Sequence, residues 1–305
     1  MTIYIKGQRI DHATAMPKGD ASAVLFIPTD ALREDAEALG LSGVLMPPLD
    51  ESAANHFETR GGYDCILLNM PDKSADIEAA PINIDIYYQK DRLIFVHDPA
   101  PAMDRLMALL TNPGTLPFDE ILYTFFDLLT AHDADALEAF EEEIAQLEDD
   151  ITEGADGDGG ESLARISAMR KRLLKQKRYF ESLIDTLAEL SKNTGGFLSK
   201  AQLRALGIIA ARADRQFHSV LNLRDYVTQV REAYQAQMDI SLNRTMRLFT
   251  VLTAIFLPLT LLVGWYGMNL RMPEANSPHA YPVVIAISAV VVISEVIYFK
   301  RRKWF

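Results

Sequence analysis

Short apolar runs of four to seven residues, separated by turn-forming residues, dominate the first third of the chain. They are rich in β-branched and aromatic side chains, a composition typical of strands, and they read "TIYI", "AVLFIP", "CILLNM", "INIDIYY" and "RLIFVH". Two stretches with helical spacing lie among them, near Asp30 to Gly40 and from Ala102 to Leu110. This pattern predicts a mixed α+β domain over residues 1–115.

From Asp119 onward the apolar positions follow a helical period. The segment "DEILYTFFDLLTAHDADALEAFEEEIAQLEDDI" predicts one long amphipathic helix that ends at the glycine-rich turn 154–160. A second helix is predicted to return from Glu161 to about Lys192. Together they form a predicted helical hairpin.

The two helices of this hairpin carry opposite charge. Residues 133–161 hold 13 acids and no base, whereas residues 165–178 hold seven bases and no acid. Antiparallel helices with these charges attract each other, although each exposed pair contributes only about 0.2–1 kcal/mol. Two interpretations stay open: a solvated charged hairpin, and an acidic surface that gathers or senses divalent cations.

A third helix is predicted to begin around Ser199 and to keep its period to Trp265. It covers 67 residues, roughly 100 Å at 1.5 Å per residue. No compact globule needs such a rod. A helix of this length supports an oligomer or crosses a membrane.

The end of this helix has the composition of a membrane span. Leu248 to Trp265 contains no charged residue over 18 positions, long enough for the hydrocarbon core of a lipid bilayer. Val283 to Phe299 is a second apolar segment of 17 residues, interrupted only by Glu295. Bases flank the outer ends of both segments, and the loop "NLRMPEANSPHAY" between them holds one base. By the positive-inside rule, both termini are cytoplasmic and the loop faces outward.

Composition narrows the possible functions. The chain has 305 residues and a formal net charge of −12, so nucleic acid is not expected as a partner. The single cysteine, Cys65, excludes a disulfide framework and lies in a strand-like run where a buried, inert thiol is expected. The N-terminus has no apolar core of signal-peptide length. No catalytic or phosphate-binding motif is present, so an enzyme is not expected.

The first span has a seam of residues spaced alternately by three and four positions. This spacing keeps one side of a helix facing the axis of a bundle. The seam consists of Asn243, Met246, Thr250, Thr253, Leu257, Thr260, Gly264 and Gly267. Two interpretations stay open from spacing alone: the seam lines a pore formed by several copies, or its small residues and threonines let helices pack closely in lipid.

At this point the residues resemble a known family, the CorA divalent-cation channels. The resemblance is carried by "YGMN" at the end of the first span, by "MPE" in the loop and by the C-terminal "YFKRRKWF". It is strong from about Asn243 to Phe305 and looser upstream. It implies a funnel-shaped homopentamer, with an α+β cytoplasmic domain, a long helical stalk and two transmembrane helices, in a bacterial inner membrane. It also implies passage of Mg²⁺, and often of Co²⁺ or Ni²⁺.

The resemblance also assigns residues. It implies that Gly267, Met268 and Asn269 form the outer selectivity ring and that Glu274 attracts cations to the outer mouth. The pore-lining residues that it implies are Asn243, Met246, Thr250, Leu257, Thr260 and Gly264, all of which belong to the seam, with Phe249 beside the hydrophobic constriction. The spacing adds Thr253 to the predicted pore lining. Mg²⁺ is expected as the transported ion and as a regulator that binds cytoplasmic acids. The regulatory acids are left open, although Asp214 and Asp225 lie on the stalk.

Two features depart from the family pattern. Leu270 and Arg271 follow the Gly-Met-Asn triplet, where the family often has an acid. Glu295 lies in an apolar span and is expected to be snorkelled, protonated or paired with a cytoplasmic-side base rather than to take part in transport. A related two-span branch with a Gly-x-Asn motif that carries Zn²⁺ is therefore an alternative. A membrane-tethered cation sensor or scaffold without flux is another.

The sequence thus predicts a succession of segments. They are an α+β domain over 1–115, a helical hairpin over 116–198, a stalk helix over 199–247, a first transmembrane helix over 248–267, an external loop over 268–282, a second transmembrane helix over 283–299 and a basic cytoplasmic tail over 300–305.

Overall fold

A computed structural model of the chain describes residues 2–5, 8–11, 22–29, 56–60, 62–70, 82–111, 116–153, 159–268, 279–302 and 304. The strands in these ranges are β1 (Thr2–Ile5), β2 (Gln8–Asp11), β3 (Ala23–Pro28), β4 (His56–Arg60), β5 (Tyr63–Met70), β6 (Ile82–Gln89) and β7 (Arg92–His97). The helices are α1 (Pro101–Thr111), α2 (Phe118–Thr130), α3 (Asp133–Glu153), α4 (Gly159–Ser191), α5 (Lys200–Tyr266) and α6 (Ala280–Arg301). The chain divides into two compact units, Met1–Arg231 and Glu232–Phe305.

The strands of the first unit form one mixed sheet. Its order is β2-β1-β3-β7-β6-β5-β4, in which β3 and β7 are parallel and every other neighbouring pair is antiparallel. All five predicted strands are confirmed. β2 ("QRID") and β4 ("HFETR") were not predicted, because they are too polar to stand out as apolar runs.

The core of the first unit lies around β7. This strand is buried from Leu93 to His97, which explains its continuous apolar run. Phe95 stacks on Phe26 of β3 with ring centroids 5.1 Å apart, and Phe125 of α2 lies 5.3 Å from Phe95. Cys65 is fully buried in β5, as expected.

The prediction of one continuous helix from Asp119 into the acidic segment is wrong. The chain turns at Ala131 and His132, so that α2 ends at Thr130 and α3 begins at Asp133. The Thr130 hydroxyl donates to the Phe126 carbonyl (2.9 Å), and the acids Asp133 and Asp135 occupy the first turn of α3, where negative charge favours a helix start. Apolar periodicity alone does not reveal such a break, because the spacing continues through it.

The second helix of the hairpin is confirmed as α4, and its charges pair with α3. Arg165 donates to Asp150 (2.8 Å) and Arg172 donates to Glu143 (2.7 Å). The Arg172 guanidinium also lies 4.4 Å from the centroid of the Phe140 ring. The opposite charges therefore do meet across the two helices. The predicted helix from Ala102 to Leu110 is also found, as α1, whereas the one near Asp30 to Gly40 lies outside the described residues.

The long third helix is confirmed as α5, with 67 residues. It continues through Pro258, which lies inside the helix. α5 and α6 are the two helices, among the described residues, that are long and apolar enough to span a membrane, and only 6% of each apolar window is buried. The core helix of a soluble protein would be mostly buried, so this exposure favours the prediction of two membrane spans.

Candidate ion pathway

The predicted seam lies along one side of a single helix. α5 is unbroken from Lys200 to Tyr266, so positions that alternate by three and four residues form one stripe. The stripe contains Asn243, Met246, Thr250, Thr253, Leu257, Thr260 and Gly264, all exposed in the single chain. Phe249 lies beside it and is 57% exposed.

The threonines of the seam direct their hydroxyl hydrogens to their own helix. Thr250 donates to the Met246 carbonyl, Thr253 to the Phe249 carbonyl and Thr260 to the Phe256 carbonyl, each at 2.8 Å. This i to i−4 bond is a common threonine geometry in helices. Because the hydrogen is used, each hydroxyl can act toward other groups only as an acceptor, through its two lone pairs.

Pro258 adds a further acceptor. Proline has no N–H, so it cannot donate to the carbonyl of Ala254, four residues earlier in the helix. Irregular backbone at membrane depth is tolerated where it is buried in protein or lines a water-filled cavity. The Ala254 carbonyl was not singled out by the sequence pattern, because a side-chain pattern gives no direct information on backbone groups.

Two glycines of the seam have different surroundings. A side chain at Gly264 would meet no atom within 4 Å, whereas a Cβ at Gly267 would lie 2.9 Å from the Val263 carbonyl oxygen. The Gly267 N–H donates to that same carbonyl (2.8 Å) and closes the last turn of the span. Gly267 is therefore required by close packing at the helix end. Met268 follows it, and its N–H lies 3.4 Å from the Trp265 carbonyl.

The remaining predicted filter and loop residues lie outside the described part of the chain. They are Asn269, Leu270, Arg271 and Glu274. Their assigned roles stay predictions.

The predicted basic ends of the spans are present in the structure as exposed side chains. Arg244 and Arg247 precede the first apolar segment, and Lys300 and Arg301 close α6. The Arg302 guanidinium lies 5.8 Å from the centroid of the Tyr298 ring. Cations beside aromatic rings are typical of a membrane–water interface.

Glu295 forms no ion pair with any residue that the structure describes. It is half-buried, and its Oε2 atom accepts no hydrogen bond within the described part of the chain. Of the three expected states, pairing with a base within the chain is not observed in the described residues.

The described residues of one chain do not form a complete metal centre. Among the described residues, no group of three or more His, Cys, Asp or Glu side chains is close enough to hold a metal ion. Asp214 lies 3.7 Å from the ring of His218, and Asp225 lies 3.7 Å from Arg224. Both aspartates are exposed on α5.

The Asp85 carboxyl of the first unit has a raised pKa. Burial, and secondarily the negative charge of Asp98, raise the pKa of Asp85 to about 6. Asp98 itself accepts hydrogen bonds from the backbone N–H (2.9 Å) and the side-chain amide (3.3 Å) of Asn83. Sequence patterns do not reveal this pair, because β6 and β7 bring the two acids together only in the folded sheet.

The chain is similar in sequence to known transport proteins. A family model described as "CorA-like Mg2+ transporter protein" matches residues 28–301. The cobalt/magnesium transport protein CorA of Thermotoga maritima is 28% identical over 187 residues, which cover 61% of this chain and 52% of that protein. The magnesium transport protein CorA of Yersinia pseudotuberculosis is 27% identical over 292 residues, which cover 92% of this chain and 90% of that protein.

Among solved structures, the complete structure of the CorA magnesium transporter from Methanocaldococcus jannaschii is similar to the whole chain. Its TM-score is 0.84 at 22% identity, and the match covers 100% of this chain and 99% of that one. At this level of identity the likeness establishes the fold, with its α+β domain, long helix and two C-terminal apolar helices.

Proposed function

The chain belongs to the family of CorA-like Mg²⁺ transporter proteins, and from this premise we propose that it is a channel through which Mg²⁺ enters the cell passively. The resemblance that the Gly-Met-Asn triplet and the two spans indicated is confirmed by the family match. The family consists of ion transporters, so the expectation that the chain is not an enzyme is confirmed as well. The pore, in this proposal, is a homopentamer in the cell membrane with both termini in the cytoplasm.

The exposed seam of α5 is the observation that carries the proposal. The same helix has an earlier stripe with the same spacing, and that stripe is buried within the first unit. It consists of Gln202, Leu206, Ile209, Ala213, Gln216, Val220, Leu223, Val227 and Val230. Spacing of 3.5 residues marks a side of a helix that faces a partner. The seam has no such cover in the single chain, and further copies around an axis supply one.

The chemistry of the seam suits a hydrated cation. Mg²⁺ gives up its water reluctantly and is usually bound with several waters retained. Those waters point their hydrogens outward, so a wall for the hydrated ion must offer acceptors. The hydroxyl oxygens of Thr250, Thr253 and Thr260 do so, because their hydrogens are donated to the backbone.

Met246 and Leu257 interrupt these acceptors with apolar side chains. A ring of such residues, one from each copy, closes a pore by excluding water rather than by blocking it with charge. Phe249 lies beside the Met246 ring in this arrangement. The seam therefore supplies both an open path and a gate.

Gly267, Met268 and Asn269 form the outer filter in this proposal. Five neutral Asn269 amide oxygens, with Gly267 carbonyls beneath them, accept hydrogen bonds from the hydration shell and bind the ion weakly enough to release it. Glu274 raises the local concentration of cations at the mouth, and Arg271 opposes it. Soft ligands such as cysteine would select other metals.

Membrane potential drives entry without ATP. It favours inward movement by about 2.3 kcal/mol per charge per 100 mV, and by twice that for a divalent ion. Cytoplasmic Mg²⁺ closes the channel by binding acids contributed by neighbouring copies, which accords with the lack of a complete metal site among the described residues of one chain.

The test is Mg²⁺ influx into proteoliposomes that contain the purified full-length protein. Asn269→Ala is expected to abolish influx while the oligomer stays intact by size-exclusion chromatography. Asn276→Ala, the same change at another asparagine of the "NLRMPEANSPHAY" loop, is the matched control and is expected to keep influx. Influx that persists in Asn269→Ala would refute the assignment of the filter.

Parallel assays separate the alternatives. Arg271 lies close after the Gly-Met-Asn triplet, where the family often has an acid. Zn²⁺ transport, as in the related two-span branch with a Gly-x-Asn motif, is therefore the second candidate, and Zn²⁺ influx is measured in the same vesicles. Entry of Zn²⁺ without Mg²⁺ would favour that branch. No flux of either ion in the unmodified protein would favour a membrane-tethered sensor.

A further inference from the structure

A cleft of about 1000 Å³ lies within the first unit, away from the proposed pore. The end of α2 and the first turns of α3 form one wall, and α5 forms the other. The polar part of its lining includes Asp127, Glu138, Glu141, Arg212, Arg215 and Gln216.

Some charged side chains of the cleft form ion pairs and others do not. Arg212 is neutralised, because it donates to Asp127 (2.8 Å) and lies 3.3 Å from the Thr130 hydroxyl. Glu138 and Glu141, three residues apart on α3, form no ion pair with any residue that the structure describes. Arg215 on α5 is the remaining cation. The cleft therefore has a net negative charge, concentrated on α3.

Gln216 is an independent observation that points to a ligand in this cleft. It lines the cleft, is only 6% exposed, and its Oε1 atom accepts no hydrogen bond from the residues that the structure describes. Leaving a buried acceptor without a donor destabilises the folded protein. A ligand with N–H groups would remove this cost.

The rest of the lining indicates the chemistry of that ligand. Ala131, Ala134, Leu137 and Leu223 present apolar surface between the polar groups. Methylene groups fit such surface, whereas a hydrated metal ion does not. No set of three metal-binding side chains is available here among the described residues. An alkylammonium compound fits both, because its ammonium group pairs with carboxylates and its methylene groups pack on apolar side chains.

We propose that this cleft binds a linear aliphatic diamine or polyamine. One ammonium group lies against the Glu138 and Glu141 carboxylates, the methylene chain lies on Ala134, Leu137 and Leu223, and a second N–H group donates to Gln216. The site is independent of the proposed pore, and binding is measured without transport.

The test is calorimetric titration of the detergent-solubilised full-length protein with spermidine. It is run at about 0.15 M salt, where exposed charges more than about 8 Å apart are largely screened. Glu138→Gln combined with Glu141→Gln is expected to weaken binding by about tenfold or more, because hydrogen bonds to charged groups are strong. Glu142→Gln is the matched control, since Glu142 is exposed on the same helix and does not line the cleft. An equal loss in Glu142→Gln would show non-specific attraction and overturn the proposal.

Gln216→Leu separates binding from a structural role. Replacing an unsatisfied buried acceptor with an apolar group of similar size is nearly neutral or stabilising. The variant is therefore expected to keep or raise the melting temperature of the free protein and to weaken spermidine binding severalfold. A lower melting temperature with unchanged binding would overturn the role given to Gln216.

Two further titrations define the ligand class. Arg215→Gln removes the one opposing cation of the cleft and is expected to tighten spermidine binding severalfold. Mg²⁺ at equal concentration is expected to displace spermidine poorly. Equal displacement by Mg²⁺, or no spermidine binding at all, would overturn the assignment to an amine.

Discussion

Residues 1–231 and residues 232–305 bury their apolar side chains to very different extents. The first unit holds a dense aromatic and aliphatic core, whereas Val251 and Phe299 are the only apolar residues buried among those described in the second. Their charges also differ. The first unit has 38 acids and 23 bases, a net charge of −15, and the second has 4 acids and 7 bases, a net charge of +3. The first unit is folded around its own core, whereas the exposed apolar side chains of the second unit need lipid or other copies of the chain to cover them.

α5 shows the change within one helix. Its stripe from Gln202 to Val230 is covered by its own unit, and its seam from Asn243 to Gly264 is uncovered. The same spacing therefore has two meanings. In water, the apolar stripe packs against the rest of its unit. In a membrane, lipid already covers apolar side chains, so the more polar stripe is the side that packs against other helices.

Truncating one aromatic residue in each region is the strongest test of this contrast. Phe125 is fully buried against Phe95 and Phe126, so Phe125→Ala is expected to destabilise the protein by about 3–5 kcal/mol. Phe256 is 56% exposed, and Phe256→Ala is expected to cost less than about 1 kcal/mol. Thermal unfolding of the full-length protein in detergent measures both. Equal losses would mean that Phe256 is covered in the assembly as fully as a core residue.

The pH dependence of stability provides a second, smaller difference between the regions. In the folded first unit the pKa of Asp85 is raised from 3.8 to about 6, so the folded state holds a proton that the unfolded state has lost. Stability is therefore expected to fall as pH rises from about 4 to about 6, by up to about 3 kcal/mol.

Asp85→Asn removes this effect. The variant is expected to melt at a higher temperature than the unmodified protein at pH 8, and the gain is expected to vanish near pH 4. Asp185→Asn, at an exposed aspartate of α4, is the control and is expected to change neither value. A gain at pH 8 that persists unchanged at pH 4 would contradict the assignment to Asp85 ionisation.

The smallest expected effect concerns the two glycines of the seam. Gly267→Ala places a Cβ against the Val263 carbonyl and is expected to weaken the last turn of α5 by about 1 kcal/mol. Gly264→Ala meets open space in the chain and is expected to stabilise the helix slightly. Hydrogen exchange of the amides of residues 263–268 measures both. Equal exchange in the two variants would show that the contact at Gly267 is relieved without cost.

Much of this fold could be predicted from the sequence, because apolar residues recur at regular spacing in most of its helices and form clear runs in most of its strands. β5, β6 and β7 are apolar runs between turn residues, and α5 keeps one period over 67 residues. The position of the seam followed from that same period. β2, β4 and the break at Ala131 were not predicted. The two strands are too polar to stand out as apolar runs, and the apolar spacing continues through the break.

Other features depend on contacts between distant residues. Asp85 meets Asp98 only across two paired strands, and Gln216 loses its solvent only when α5 packs beside α2 and α3. The use of the threonine hydrogens also requires side-chain rotamers, which a pattern of residue types does not specify. Asn269 and Glu274 lie outside the described residues, so their roles rest on the sequence motif.

The hydroxyl geometry of the seam has a consequence for anions. Chloride needs hydrogen-bond donors, and Thr250, Thr253 and Thr260 have already given theirs to the helix backbone. Pro258 has no N–H at all. Where these residues line a passage, it would favour cations over anions without a charged side chain. The three hydroxyl oxygens accept hydrogen bonds from the hydration water of a cation, whereas their hydrogens are not available to chloride.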